Sequence, residues 1–285
     1  MAPDAKRQDL LYVSEYGDGI IDVFSFPKGK FVGSLTGFSN PQGECVNKKG
    51  DVWIVSPNGG QPGAVEFAHG GTSPIGTVSA PDQDPYACSV DPKSGTLAVT
   101  NEETGSVALY ANEAGSPKIL TDPNMDLMLW CGYDRAGNLF VDGLNPSVQP
   151  EFDELSAGAS TFTKITLNQS VGFPGNIQWD GSHLTLDDVM YKGQNTSAIY
   201  QLQISAATAT IVRTTQLGGS QEVFGTWVSG KRVVAPEDGS SQGRSTDAVK
   251  YWPYPQGGNP VKALDKPGSD FFDGPFGAAV SPARR

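Results

Sequence analysis

Apolar residues in this chain fall in short alternating runs of four to seven, each closed by glycine, proline, asparagine or aspartate, which is the rhythm of strands and turns. The runs recur as a unit every 43 to 52 residues: a Pro-x-Gly phrase opening an alternating strand, a charged turn, a second strand and a glycine-rich loop. The clearest copies are Pro41-Gln42-Gly43-Glu44-Cys45-Val46-Asn47, Pro85-Tyr86-Ala87-Cys88-Ser89-Val90-Asp91 and Pro275-Phe276-Gly277-Ala278-Ala279-Val280. Weaker copies start at Met128-Leu129-Trp130, Pro174-Gly175-Asn176 and Val223-Phe224-Gly225. A period of this length predicts identical supersecondary units stacked side by side, six of them here.

Each unit phases into four strands. In the second, residues 42–46, 51–55, 64–68 and 74–78 are apolar in alternation, and 47–50, 56–63 and 69–71 carry turn chemistry. Residues 10–14, 20–26 and 31–35 supply three strands with no inner strand before them, while 275–280 are an inner strand with nothing after it. The two ends should therefore share one sheet, closing the ring without exposed edges. The expectation is an all-β, six-bladed β-propeller with four antiparallel strands per blade, a single domain over 10–282 behind a leader of residues 1–9. Trp53, Trp130, Trp179, Trp227 and Phe140 read as packing between blades.

Composition narrows the partners. With 35 Gly and 21 Pro among 285 residues and no long apolar run, the chain offers no membrane-spanning helix. A formal charge of -11 without a Lys/Arg cluster argues against nucleic acid. The polar N-terminus lacks the apolar core of a signal peptide and reads as the leader of a mature exported bacterial chain, hence a secreted or periplasmic expectation. Cys45, Cys88 and Cys131 all sit on inner strands; taking blade spacing as too wide for a bridge, three buried unpaired thiols are expected.

The phrase Pro-x-Gly-x-x-Val-Asp/Asn, then Gly-Asn/Asp before a second strand, resembles NHL-type six-bladed propellers and the related gluconolactonase and calcium-dependent phosphotriesterase family, over nearly the whole chain. The resemblance implies a calcium ion held by Glu, Asn and Asp side chains at the residue before the motif glycine. Here those positions are Gln42, Tyr86, Leu129, Gly175, Phe224 and Phe276, which offer one oxygen side chain where hard calcium takes six to eight oxygens. Asn176 is the nearest survivor, one residue out of phase. Streptogramin-lyase propellers resemble the fold too, but their chemistry needs histidine, and His69 and His183 fall on the opposite, short-turn side, where both read as solvated turn residues.

The variable loops, 56–63, 143–152, 189–198, 237–247 and 269–274, share one face. Glu15, Asp187 and Glu237 end second strands there, and Asp84, Asp126, Glu222 and Asp273 introduce inner ones. Gln42, Tyr86, Leu129, Phe224 and Phe276 line the channel mouth within that acidic rim, a composition that suits a small-molecule pocket and a packed plug equally. The leading reading is a non-catalytic binding propeller taking a small molecule, glycan or protein at the channel mouth through these residues with Glu15, Asp187, Glu222 and Glu237, and no cofactor. The alternatives are a hydrolase of lactones, esters or phosphotriesters with Ca2+ held by members of Glu15, Glu44, Asn176, Asp187, Glu222 and Glu237, and an architectural interaction module.

Overall fold

A computed structural model describes residues 1–57, 63–80, 84–194, 196–238, 247–266 and 272–283. Six sheets form a six-bladed β-propeller. From the axis outward, blade 1 consists of Pro275–Ser281, Leu10–Glu15, Ile20–Ser25 and Phe31–Thr36; blade 2 of Glu44–Val46, Val52–Ser56, Gly63–Phe67 and Pro74–Ser79. Blade 3 holds Pro85–Val90, Leu97–Asn101, Ser106–Tyr110 and Lys118–Thr121, and blade 4 Leu127–Tyr133, Leu139–Leu144, Pro150–Leu155 and Thr163–Lys164. Blade 5 has Pro174–Trp179, Leu184–Asp188, Ser197–Ser205 and Thr208–Leu217, and blade 6 Trp227–Ser229, Arg232–Glu237, Ala248–Pro253 and Lys262–Ala263.

The chain ends close the ring as the alternation requires. Leu10 lies opposite Ser281 and Leu11 opposite Val280 in antiparallel register, so the last strand becomes the innermost strand of the first blade. His69 reinforces the seam. Its Nδ1 lies 2.5 Å from the Ser281 hydroxyl and its Nε2 3.1 Å from the Gln8 carbonyl, and it is buried. A turn position therefore does not leave it solvated: the neighbouring blade folds over it.

Blade 5 departs from the four-strand expectation. Blade 4 ends in a two-residue outer strand, after which the crossover pairs Thr166–Leu167 in parallel with Thr208 and Ala209 at the far edge of blade 5. Blade 4 thus gives up its outer edge to its neighbour, and a cleft opens between the two.

The cysteine expectation is corrected. Cys45 and Cys88 form a disulfide, with α-carbons 5.6 Å apart, and Cys131 alone is free, among the described residues. Two errors compounded. Inner strands converge on the axis, where they touch directly, as the Gly43 amide donating to the Tyr86 carbonyl at 3.0 Å shows. The repeat also slips by one residue: Cys45 lies two residues after Gly43, whereas Cys88 lies one after Ala87, the residue in the equivalent place. Side chains alternate along a strand, so Cys45 leans towards blade 3 and Cys88 back towards blade 2. Cys131 follows Trp130 by one residue and has the phase of Cys88, not that of Cys45.

Candidate functional site

A ring of hydrogen bonds ties the inner strands together at one level. The amides of Gly43, Asn176 and Gly225 donate directly to the carbonyls of Tyr86, Phe224 and Phe276 in the following blades. Where strands stand further apart, a hydroxyl of the second strand relays the bond. Ser14 accepts from the Gly277 amide at 2.7 Å and donates to the Gln42 carbonyl at 2.6 Å. Thr100 accepts from Ala87 at 3.0 Å and donates to the Leu129 carbonyl at 2.6 Å. Asp142 holds the same rung in blade 4, taking the Trp130 amide at 3.2 Å, but its second carboxylate oxygen passes no bond onward.

This level aims the residue before the motif glycine at the axis, where the chain places aromatics. Phe276 is the centre of a stack, with its ring 5.4 Å from Phe224 and 5.8 Å from Trp130, tilted by 11° and 16° respectively. Tyr86 meets Phe276 and Trp130 edge-on at 5.5 Å and 5.3 Å. Towards the loop-rich face Tyr16 approaches Phe276 at 6.3 Å and Phe173 approaches Phe224 at 6.4 Å. Tyr86, Leu129 and Trp130 are buried, Phe224, Phe276 and Phe173 half-buried, and Tyr16 is 41% exposed. Trp130 is therefore part of the axial stack as well as of the blade interface. Gln42 is buried with its Oε1 unpartnered. Below the stack, towards the short-turn face, an axial cavity of about 240 Å³ is lined by Glu44, Cys88, Cys131, Asn176 and Trp227 among others.

The carboxylates do not converge. Glu15 accepts from the Asp273 amide at 2.7 Å and faces Lys266 at 3.2 Å; burial pushes it up to about 8 against those two partners. Glu237 is ion-paired with Lys250. Asp187 faces blade 6, and burial pushes it well above the usual carboxylate range. Glu44 turns back towards blade 1, raised by burial first and then by Glu15. Asn176 donates to the Thr226 carbonyl at 2.7 Å, and the backbone carbonyl of Glu222 accepts from the Asp238 amide at 3.1 Å. Asp84 and Asp273 are half-buried and Asp126 is exposed. Among the described residues no group of three or more His, Cys, Asp or Glu is placed to hold a metal ion. Of the residues named for calcium, Glu15 and Glu237 lie beside lysines and Asn176 is bonded to a carbonyl. Parts of four candidate loops, residues 58–62, 195, 239–246 and 269–271, lie outside the described residues.

Asp142 was missed by sequence reasoning. Its signal was available: it stands two residues before the end of the second strand of blade 4, aligned with the hydroxyls of Ser14 and Thr100 and with Asp187 of blade 5.

No family profile and no curated protein sequence matches the chain. Solved structures do. A chain of the nidogen/laminin complex superposes with a TM-score of 0.74 at 14% identity, covering 97% of this chain and 100% of that one. A protein of unknown function from Bacteroides caccae superposes at 0.68 with 13% identity, over 96% of this chain and 99% of its own. A functionally unknown protein from Desulfotomaculum acetoxidans reaches 0.61 at 13% identity, over 98% and 87%. Similarity at this level is similarity of fold.

Proposed function

We propose that the protein is a non-catalytic binding propeller, acting outside the cytoplasm, that holds a protein partner on its loop-rich face around the axial aromatic stack. The observation that carries this reading is the stack itself: aromatic carbon stands where the resembling enzymes would place metal-binding oxygens, and its upper end surfaces at Tyr16 with Phe173, Phe224 and Phe276 beside it. An aromatic centre within a polar, charged rim is the anatomy of an interface whose anchors are rigid rings. Glu222, Asp273 and Asp126 at the rim, and a net charge of -11, favour a basic partner surface. That a structurally similar chain comes from a nidogen/laminin complex supports a protein over a glycan or a small molecule. The Cys45–Cys88 disulfide supports an oxidising compartment, in keeping with a secreted or periplasmic protein.

The test is site-directed photocrosslinking in the native extracellular or periplasmic fraction. A crosslinker at position 16 should yield a discrete protein adduct that fades as salt is raised, while one at Val212, 46% exposed on the outer strand of blade 5, should not. Identical adducts from both positions, or none from position 16, would reject the reading; a glycan or small-molecule adduct would keep the face and replace the partner.

A further inference from the structure

We infer that the cleft between blades 4 and 5 is a second, off-axis binding site that takes a small organic amine, its apolar body lying along the cleft and its ammonium group on Asp142. The cleft has a volume of about 310 Å³, at the lower end of the range of small-ligand pockets. It exists because blade 4 surrenders its outer strand to blade 5, so that the crossover 165–173 forms one wall instead of covering the sheet. Phe152, Ile165, Leu167, Val171 and Leu186 make the apolar lining, and Gln149, Thr166, Gln169 and Ser170, with the Glu151 and Lys164 pair, are polar members beside Asp142.

Asp142 is what the cleft does not otherwise explain. It pairs across the sheet with Phe152, so both side chains share the face turned towards blade 5. It is 1% exposed, and its one hydrogen bond is the Trp130 amide on Oδ1, leaving Oδ2 without a partner. Ser14 and Thr100, on the equivalent rungs, use their hydroxyls fully. A buried carboxyl oxygen left unpaired is costly. The titratable groups that act on Asp142 or feel it are Asp187 from blade 5, Tyr86 from blade 3 and Cys131 on its own sheet, none of them cationic; Lys164 pairs with Glu151 at 2.5 Å instead. Cross-strand register puts Glu151 opposite Gly143, on the other face of the sheet, so this ion pair does not serve Asp142. Burial raises the carboxyl, so an arriving ammonium supplies the missing cation and favours the ionised form, and the proton given up passes to the buffer.

Calorimetric titration with n-hexylamine, 1-hexanol and hexanoate tests this on the intact chain. The amine should bind about tenfold or more tightly than the alcohol, the carboxylate should be weakest, and heats in buffers of different ionisation enthalpy should show proton release on amine binding. Leu167→Trp, which fills the cleft without touching the carboxyl, should abolish binding; Asp142→Asn should abolish the preference for the amine. Equal binding of the three probes, no binding by any, or amine binding that survives Leu167→Trp would overturn the assignment. Should Asp142→Asn fail to fold, the Leu167→Trp result and the proton release decide alone. None of these outcomes depends on the partner proposed for the axial face.

Discussion

At the residue scale, two positions show how the axis is built. Phe276 packs against Tyr16, Tyr86, Trp130 and Phe224, so four other rings hold its buried part. Removing it leaves a hole lined by aromatic faces that inner strands fixed by hydrogen bonds cannot collapse to fill. Phe276→Ala should cost about 3 kcal/mol of stability in urea titration; a loss under about 1 kcal/mol would mean that the rings repack freely. Gly225 illustrates why the motif ends in glycine. A β-carbon there would stand 2.7 Å from the Phe276 carbonyl oxygen and 2.8 Å from the Gly277 α-carbon, both backbone atoms of the next blade. Gly225→Ala must push two blades apart and should destabilise by about 1–3 kcal/mol. The requirement is one of approach, not of backbone angle, and an unchanged unfolding midpoint would refute it.

At the scale of strands, much of the architecture was legible and some of it was not. Six repeats, strand phases and the shared first blade follow from alternation and turn residues, because a side chain's face depends only on its parity along the strand. The outer edge of blade 4 was illegible, since Thr163 to Leu167 reads as one continuous strand and nothing local says that its second half serves another sheet. The ring of residues facing the axis was readable from the motif, whereas the fate of Glu15, Glu237 and Asn176 was not: Lys266 and Thr226 come from distant parts of the chain, and Lys250 from the neighbouring strand beyond a long loop. The disulfide failed for a subtler reason, a one-residue slip that a constant spacing of 43 concealed. That slip is predictive. In blade 3 the residue with the phase of Cys45 is Ser89, whose hydroxyl already accepts from the Tyr133 amide across the blade boundary at 3.2 Å. Ser89→Cys should therefore bond to Cys131, and non-reducing thiol titration of the unfolded variant should find no free thiol. One or more free thiols there would place the slip wrongly. Conversely, replacing Cys45 and Cys88 by alanine, which frees a loop of 43 residues, should lower stability by about 4 kcal/mol on the chain-entropy account.

At the scale of the whole molecule, burial of acids sets the response to pH. Burial raises Glu44, Asp142 and Asp187, and the charged neighbours that add to the shift are other acids; burial together with Asp122 brings Asp153 up to about 7. A carboxyl whose folded value lies above its unfolded one contributes stability that is fully present below the unfolded value and is lost as pH rises through the folded one. The melting temperature should therefore be higher at pH 6 than at pH 9, each kcal/mol lost lowering it by roughly 2–4 °C in a chain of this size. A melting temperature that rises over this interval would contradict it, and Asp142→Asn should flatten the fall.

The seam at blade 1 and the covalent bond between blades 2 and 3 lie at different places on the circle. Drawn apart by its ends, such a ring has nothing but hydrogen bonds and apolar contact to resist at the seam, so it gives way there first and peels. The segment from Cys45 to Cys88 stays looped throughout, shielding 43 residues from the load and giving the broken circle a fixed piece on which to rebuild.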